Sequence, residues 1–552
     1  MHWQSINRYT EKNYLVWDRF AFLGVFLLVI CGISITWNLE QHMDVLFWDE
    51  ALYLQRGVAL FDHIPKTWGP SYSLWYKFLS VFISDKVTLY YFNFKLTTIF
   101  ISIGFFVALL SSGVNRLLSF ILSLFFLSSY INLPVWPRVS HFCVIVLLTG
   151  IIVAKYKKTL LPKLIWISFS FLICAYARPE LFIAFLISFV LVLIIAFYFR
   201  KEHSMEEWII FGVLLLGCLF IYIFLKTPFN NGDSGRGLRV FLQHYAWGYN
   251  ERHHLDNIFW LDFPNLIQQQ FKDATTLQEI LMTNPAEFFQ HILHNFSNYF
   301  IELGKIIFSF FTCIFPKYDS SMVWIGCILL WIIYFLSARM SANKYIRLKY
   351  IFRENIFTLF MLLILAIPSV VACLYAYPRQ HYLVLQVPLL LWLIALLISS
   401  CSEEIQNPIQ NMIFIVSIWL FISPAAKDFK FFDLFRKQKS LCNLTTLRYI
   451  QHEIKTTDSV RVFDVEGYMT NLLSPNFINY NEIYYRNRYL LISDIIKKNN
   501  IDIVYVTPTL SQLYNIQKDT ALFNMLKYPE QYGFIEQKTG NFTPFLLIKK
   551  KQ

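Results

Sequence analysis

Apolar residues fall into long unbroken runs in this chain, with neither the strict alternation of a strand nor a heptad repeat. Phe20–Ile35, Leu181–Phe199, Ile209–Leu225, Ile356–Tyr375 and Leu383–Ser399 contain no charged residue. Most of these runs reach the roughly 17–25 residues that cross a bilayer core as a helix. The pattern predicts a polytopic α-helical membrane protein. Further spans are expected near 88–110, 117–132, 139–155 and 164–177, after a first span at about 17–38. Two longer polar stretches, 39–87 and 226–320, interrupt the spans as loops.

Charge placement orients the spans. Arg8, Lys12 and Arg19 precede the first span, no small-residue cleavage site follows it, and it reads as an uncleaved anchor. Lys155, Lys157, Lys158 and Lys163, together with Arg116, Arg200 and Lys201, then fall in inner loops, as the positive-inside rule prefers. That placement accounts for the net charge of +12 without nucleic acid. The segment "FSNYFIELGKIIFSFFTCIFP" is apolar enough to span but holds Glu302 and Lys305. If it spanned, Arg339, Lys344, Arg347, Lys349 and Arg353 would all lie outside, so it is expected to lie along the outer surface. The count is then about 11 transmembrane helices.

From about Asn443 the period changes. "SVRVFDV", "IDIVYVTPT" and "FLLIKK" read as strands, with "LRYIQHEI" and "LLISDIIKKNN" as amphipathic helices between them. The division is a transmembrane domain over 1–425 and a small C-terminal α/β extracytoplasmic domain over 426–552. The latter has no phosphate-binding glycine loop and suits a capping or acceptor-docking role. No internal repeat or low-complexity segment is evident.

Composition adds that 56% of the 552 residues are hydrophobic and only 15% charged, where a soluble domain carries about 25%. Of nine cysteines, seven lie in apolar runs and none has metal-ligand spacing, which argues against a disulfide framework. The residues require no cofactor and leave a divalent metal open. The Lys-, Asn-, Ile- and Phe-rich style points to a bacterial inner membrane. The sequons at Asn295, Asn443 and Asn541 fall outside and would be idle there.

Candidate chemistry clusters on the outer side. "FWDEALYLQRG" sets Asp49 and Glu50 among apolar residues, on a helix suited to the membrane interface. Neighbours on a helix point about 100° apart, so only one acid squarely faces a cleft, and the other pairs with a base such as Arg56. A carboxylate in partly apolar surroundings accepts a proton more readily. "HIPKTWGPSYSLWYKFLSVF" makes a turn and then an aromatic helix carrying Tyr72, Trp75, Tyr76 and Lys77, either an interfacial belt or a ligand-stacking surface. "ARPE" places Arg178 and Glu180 at a span boundary, and "YPRQHY" places Arg379, His381 and Tyr382 between two spans. Arginines at that depth suit a lipid phosphate or pyrophosphate. Arg138 and His141 are candidates of the same kind. The large loop mixes glycines with Asp233, Arg236, Arg239, His244, His253 and His254, and is expected to order over bound substrate.

This layout resembles the GT-C membrane glycosyltransferases, closest to the branch of protein O-mannosyltransferases and lipid A aminoarabinose transferases. The likeness is carried by "WDEALYLQRG", "WGPSYSLWYKFLSVF", "ARPE", "NPAEFFQHILHN" and "YPRQHYLVLQVPLLL", short motifs that together touch most of the chain. It implies a polyprenyl-phosphate sugar donor entering from the membrane, and a lipid, glycan or protein acceptor hydroxyl. Asp49 would be the general base with Glu50 in support. Arg379 would hold the donor phosphate with His381 and Tyr382, and Arg178 less directly. Tyr72, Trp75, Tyr76, Lys77, Glu180, Arg138 and His244 would line the substrate site. No WWD-type motif occurs, which argues against asparagine glycosylation. The rival functions are a transporter or flippase of lipid-linked glycans, and an O-antigen polymerase or ligase.

Overall fold

The computed structural model describes residues 19–41, 43–47, 49–60, 69–133, 135–228, 236–255, 263–272, 274–312, 328, 330–332, 334–335, 344–401, 441–454, 458–464, 467–480, 491–507, 510, 519–538 and 545–550. Expectations that fall on 1–18, on Asp233, on Arg339, on the domain boundary near 425 and on Asn541 lie outside them.

The first helices are α1 (Arg19–Ile35), α2 (Asp49–Val58), α3 (Pro70–Ser80), α4 (Lys86–Ser111), α5 (Arg116–Leu127), α6 (Val139–Lys155), α7 (Leu160–Ala175), α8 (Phe182–Tyr198) and α9 (Met205–Leu225). Their starts follow the local chemistry. Asp85 and Asn115 cap α4 and α5 through their side chains, and Ser204 with Glu207 forms a reciprocal capping box on α9. The long loop after α9 folds as α10 (Arg236–Arg252), α11 (Phe263–Phe271), α12 (Leu277–Thr283) and α13 (Pro285–Thr312). Next come α14 (Lys344–Tyr375) and α15 (Gln380–Cys401), the latter with a 3-10 turn at Val384–Gln386.

Six helices are long and apolar enough to cross a membrane, α1, α4, α8, α9, α14 and α15, and the apolar helices α5, α6 and α7 are shorter. In α4 and α15 67% of the apolar window is buried, against 11% in α9, so the first two form the centre of the bundle and α9 its rim. Phe105, Phe106, Phe125, Phe126 and Trp392 fill the middle. Segment 296–312, expected to lie along the outer surface, is part of α13 and packs on α5, α14 and α15. Tyr299 Oη donates to Gln386 Oε1 at 2.7 Å, and Tyr130 Oη donates to the Glu302 carbonyl at 3.0 Å. Ile306 and Phe310 of α13 are buried against the bundle, while Phe296, Phe300, Ile301 and Phe308 stay exposed. The loop helices also carry their own small core, with Phe241, Tyr245, Leu266, Phe271 and Ile280 packed together.

The C-terminal part holds α16 (Cys442–Glu453), β1 (Val460–Asp464), β2 (Phe477–Asn479), α17 (Ile492–Lys498), β3 (Ile503–Val506), α18 (Thr520–Lys527), β4 (Phe534–Lys538) and β5 (Phe545–Lys549). The sheet order is β2-β1-β3-β5-β4, with β2, β1 and β3 parallel and β5 antiparallel to both β3 and β4. The three expected strands are β1, β3 and β5. β2 has only three residues and β4 alternates weakly, so neither reads as a strand in the sequence.

This sheet is fastened to the first loop. Asp44 accepts the backbone N–H groups of Asn443 at 2.9 Å and Leu444 at 2.7 Å, capping α16 from a segment 399 residues earlier. Asn443 Nδ2 donates to the Val45 carbonyl and Tyr505 Oη to Asn443 Oδ1. Lys86 Nζ donates to the carbonyls of Asn471 (3.0 Å) and Leu473 (2.6 Å), and Arg448 pairs with Asp85. The turn Met469–Leu472 packs on α2.

Candidate functional site

Helix α2 is buried between α3, α4 and the C-terminal turn instead of lying in an interface. Gly57 permits this: a Cβ there would sit 2.4 Å from Tyr76 Cβ and 2.6 Å from the Ser73 carbonyl. Gly69, at φ 54, turns the chain into α3 and sits under the Tyr53 ring.

The two acids part as the helix period requires. Glu50 points inward and is 2% exposed. Its Oε1 accepts from Tyr72 Oη at 2.6 Å, from Asn93 Nδ2 at 3.0 Å and from Tyr76 Oη, and its Oε2 accepts the Arg138 N–H at 2.8 Å. Burial pushes this carboxyl up, and the tyrosine and backbone donors pull it only part of the way back. The expected partner, Arg56, is six positions along α2. Glu50's electrostatic counterpart is Arg138.

Arg138, Tyr72, Trp75 and Tyr76, expected to line a substrate cleft, belong to this interior network. Arg138 is fully buried and donates to Thr97 Oγ1, Thr98 Oγ1, Asn132 and His141, with its guanidinium 4.5 Å from the Phe94 ring centre. Trp75 Nε1 donates to Asn93 Oδ1 at 2.8 Å, which orients the amide that serves Glu50. Lys77 Nζ donates to the Val58 carbonyl at the end of α2. Asn93 was missed, although a polar side chain inside an apolar span is a readable signal.

Asp49 takes the other direction and is half-buried. Its charge reaches Arg379 and Tyr382. Around that point the "ARPE" and "YPRQHY" turns converge. Arg178 is tied to Glu180 and donates to Ser140 Oγ at 2.6 Å, with its guanidinium 4.7 Å from the Tyr382 ring centre. The His381 ring lies 4.3 Å from that of Tyr382 and within the fields of Arg178, Arg379 and His244.

Helix α10 closes the far side. Its Trp247 lies 4.6 Å from the Arg379 guanidinium carbon and stacks on Tyr377, whose hydroxyl donates to Glu251 at 2.8 Å. Tyr375 Oη donates to the Gly237 carbonyl, so the loop helix is packed against the end of α14 next to this turn. Among the described residues no hydrogen-bond acceptor meets the Arg379 guanidinium. Trp247 had no signal in the sequence, because an aromatic in a polar loop looks like any other, and Tyr377 opens the "YPRQHY" motif without having been singled out.

Asp49, Arg178, Glu180, His244, Arg379, His381 and Tyr382 are thus brought together, while Glu50, Tyr72, Trp75, Tyr76 and Arg138 form the scaffold behind them. No group of three or more His, Cys, Asp or Glu side chains among the described residues is placed to hold a metal ion. The grouping joins two arginines and aromatic rings with the carboxylates of Asp49 and Glu180, the latter engaged by Arg178, chemistry suited to an anionic ester and a hydroxyl. Against protein-family models and curated proteins, the sequence finds no match.

Proposed function

We propose that this protein is a membrane glycosyltransferase of the GT-C type. It moves a sugar from a polyprenyl-phosphate donor to an acceptor hydroxyl on the outer face of a bacterial inner membrane. The observation that carries the reading is the Arg379 guanidinium: stacked on Trp247, unmet by any acceptor among the described residues, and within reach of the Asp49 charge. A guanidinium held on an aromatic face keeps its donor fork available, and a phosphate fits that fork in bidentate fashion.

In this mechanism Asp49 takes the proton of the acceptor hydroxyl, and the resulting oxygen nucleophile attacks the anomeric carbon. The bond from that carbon to the phosphate oxygen breaks, with inversion. The polyprenyl phosphate departs with its charge stabilised by Arg379, so little acid assistance is needed. His381 and Tyr382 line the phosphate side. Arg178, engaged by Glu180, adds positive potential from behind Tyr382. In this reading the chain has eleven spans, with its N-terminus inside and the sheet outside, where it docks the acceptor.

The test is transfer by purified protein supplied with a lipid-phosphate sugar and cell-envelope acceptors. Asp49→Asn is expected to lose at least 100-fold in rate, within the usual range for a general base. A wild-type rate in that variant would sink the assignment and favour a transporter.

A further inference from the structure

Helix α10 carries His244 about one turn from Trp247, whose ring centre lies 4.6 Å from the Arg379 guanidinium carbon. The His244 Nδ1–H donates to the Val240 carbonyl, one helical turn earlier, at 2.7 Å. A carbonyl can only accept, so the ring proton resides on Nδ1 and Nε2 presents a lone pair. That Nε2 is buried and has no hydrogen-bond partner among the described residues, and the residue is only 7% exposed. Burial, and secondarily the Arg379 charge, hold the ring neutral, with its pKa lowered to about 3.

A buried acceptor without a donor is unfavourable unless a ligand supplies one. Arg379, beside it, needs the opposite, an anion. One ligand satisfies both if it carries an anionic group with a hydroxyl close by. A sugar joined through its anomeric carbon to a phosphate has that arrangement, whereas the lipid phosphate left after transfer has the anion alone.

We propose that His244 Nε2 accepts a hydrogen bond from a sugar hydroxyl next to the anomeric phosphate, which makes His244 the residue that distinguishes loaded donor from spent lipid carrier. The proposal rests on reading the site as one for a lipid-phosphate sugar. It gives the loop helix α10 a specificity role, since α10 carries both His244 and the Trp247 that lies on Arg379.

The experiment measures binding to the full-length protein in nanodiscs, without acceptor. The probes are farnesyl phosphate and its mannosyl, glucosyl and galactosyl esters. Wild type is expected to bind at least one ester about tenfold more tightly than farnesyl phosphate, as for one buried hydrogen bond. His244→Phe should bring that ratio to about one with farnesyl phosphate binding unchanged, and His244→Gln, whose carbonyl accepts, should restore it. In ¹⁵N-histidine-labelled wild type, the His244 Nε2 signal should move with the ester and stay in place with farnesyl phosphate, a readout independent of any substitution. A wild type without sugar preference, a His244→Phe that keeps it, or an Nε2 signal indifferent to the ester would overturn the proposal. Arg379→Gln should weaken every probe. If it leaves farnesyl phosphate binding intact, the phosphate reading itself fails, whatever His244 does.

Discussion

The hydroxyl of Tyr72 donates to Glu50 Oε1 at 2.6 Å inside the bundle, one residue away from the half-buried Asp49, whose charge acts on Arg379. Adjacent acids therefore have separate tasks: Glu50 anchors the start of α2, and that anchoring aims Asp49. Glu50→Gln turns an acceptor into an amide group facing Tyr72, Tyr76 and Asn93. It is expected to lower unfolding stability by about 2–4 kcal/mol. Asp49→Asn, on the half-buried side, should stay within about 0.5 kcal/mol. Thermal melts of both variants in the same detergent decide this, and equal losses would refute the division of labour.

The seam between the sheet and the membrane helices invites a second test. Asp44→Ala removes the cap on the N–H groups of Asn443 and Leu444 and should destabilise α16 by about 1–2 kcal/mol. Hydrogen exchange should accelerate at those two amides and leave β1 and β3 protected. Uniform acceleration across the sheet would mean that Asp44 supports the whole fold rather than the seam.

Acidification should weaken the protein through its outer-loop histidines. Burial, with Arg379 for His244 and Arg252 for His291, lowers these rings to about 3 and about 4, from an ordinary value of 6.5. Below pH 6.5 the unfolded chain binds protons that the native state does not. Stability therefore rises with pH through this window and is lost as pH falls toward 4, by up to about 1.4 kcal/mol per pH unit for each ring. Melting points at pH 7.5 and 5.0 measure the slope, and His291→Asn should flatten it. An unchanged slope would mean that His291 titrates normally.

Two of the three sequons are structural. Asn295 Nδ2 donates to the carbonyls of Leu374 and Ala376, both at 2.9 Å, and Asn443 Nδ2 donates to that of Val45. In a glycosylating host, folded protein should carry no glycan at either position by mass spectrometry. Asn295→Asp, which faces those two carbonyls with acceptors only, should cost about 2–3 kcal/mol of stability.

Much of the architecture was legible because apolar runs without charge leave few alternatives in water, and because β1, β3 and β5 carry clear Val and Ile stretches. The turns bearing Arg178 and Arg379 were legible for a related reason, since charge at that depth is unfavourable without a task. What stayed hidden depended on long-range contact. Nothing near Glu50 in the chain announces that Tyr72, Asn93 and Arg138 will surround it. Trp247 gains meaning only when α10 folds onto Arg379. The aromatic helix at Tyr72–Tyr76 has the composition of an interfacial belt, and only tertiary packing turned it inward.

The link between Asp44 and Asn443 also bears on the order in which the chain is made. The first loop emerges about 400 residues before the helix that it caps. Until the last portion is synthesised and delivered, Asp44 and Lys86 lack their partners and α2 lacks the turn that packs on it. A chain cut short before α16 would carry Asp49, Arg178 and Arg379 and still lack one of the contacts that hold α2. Synthesis of α16 and the turn at Met469–Leu472 is in this sense a built-in checkpoint for the seating of α2.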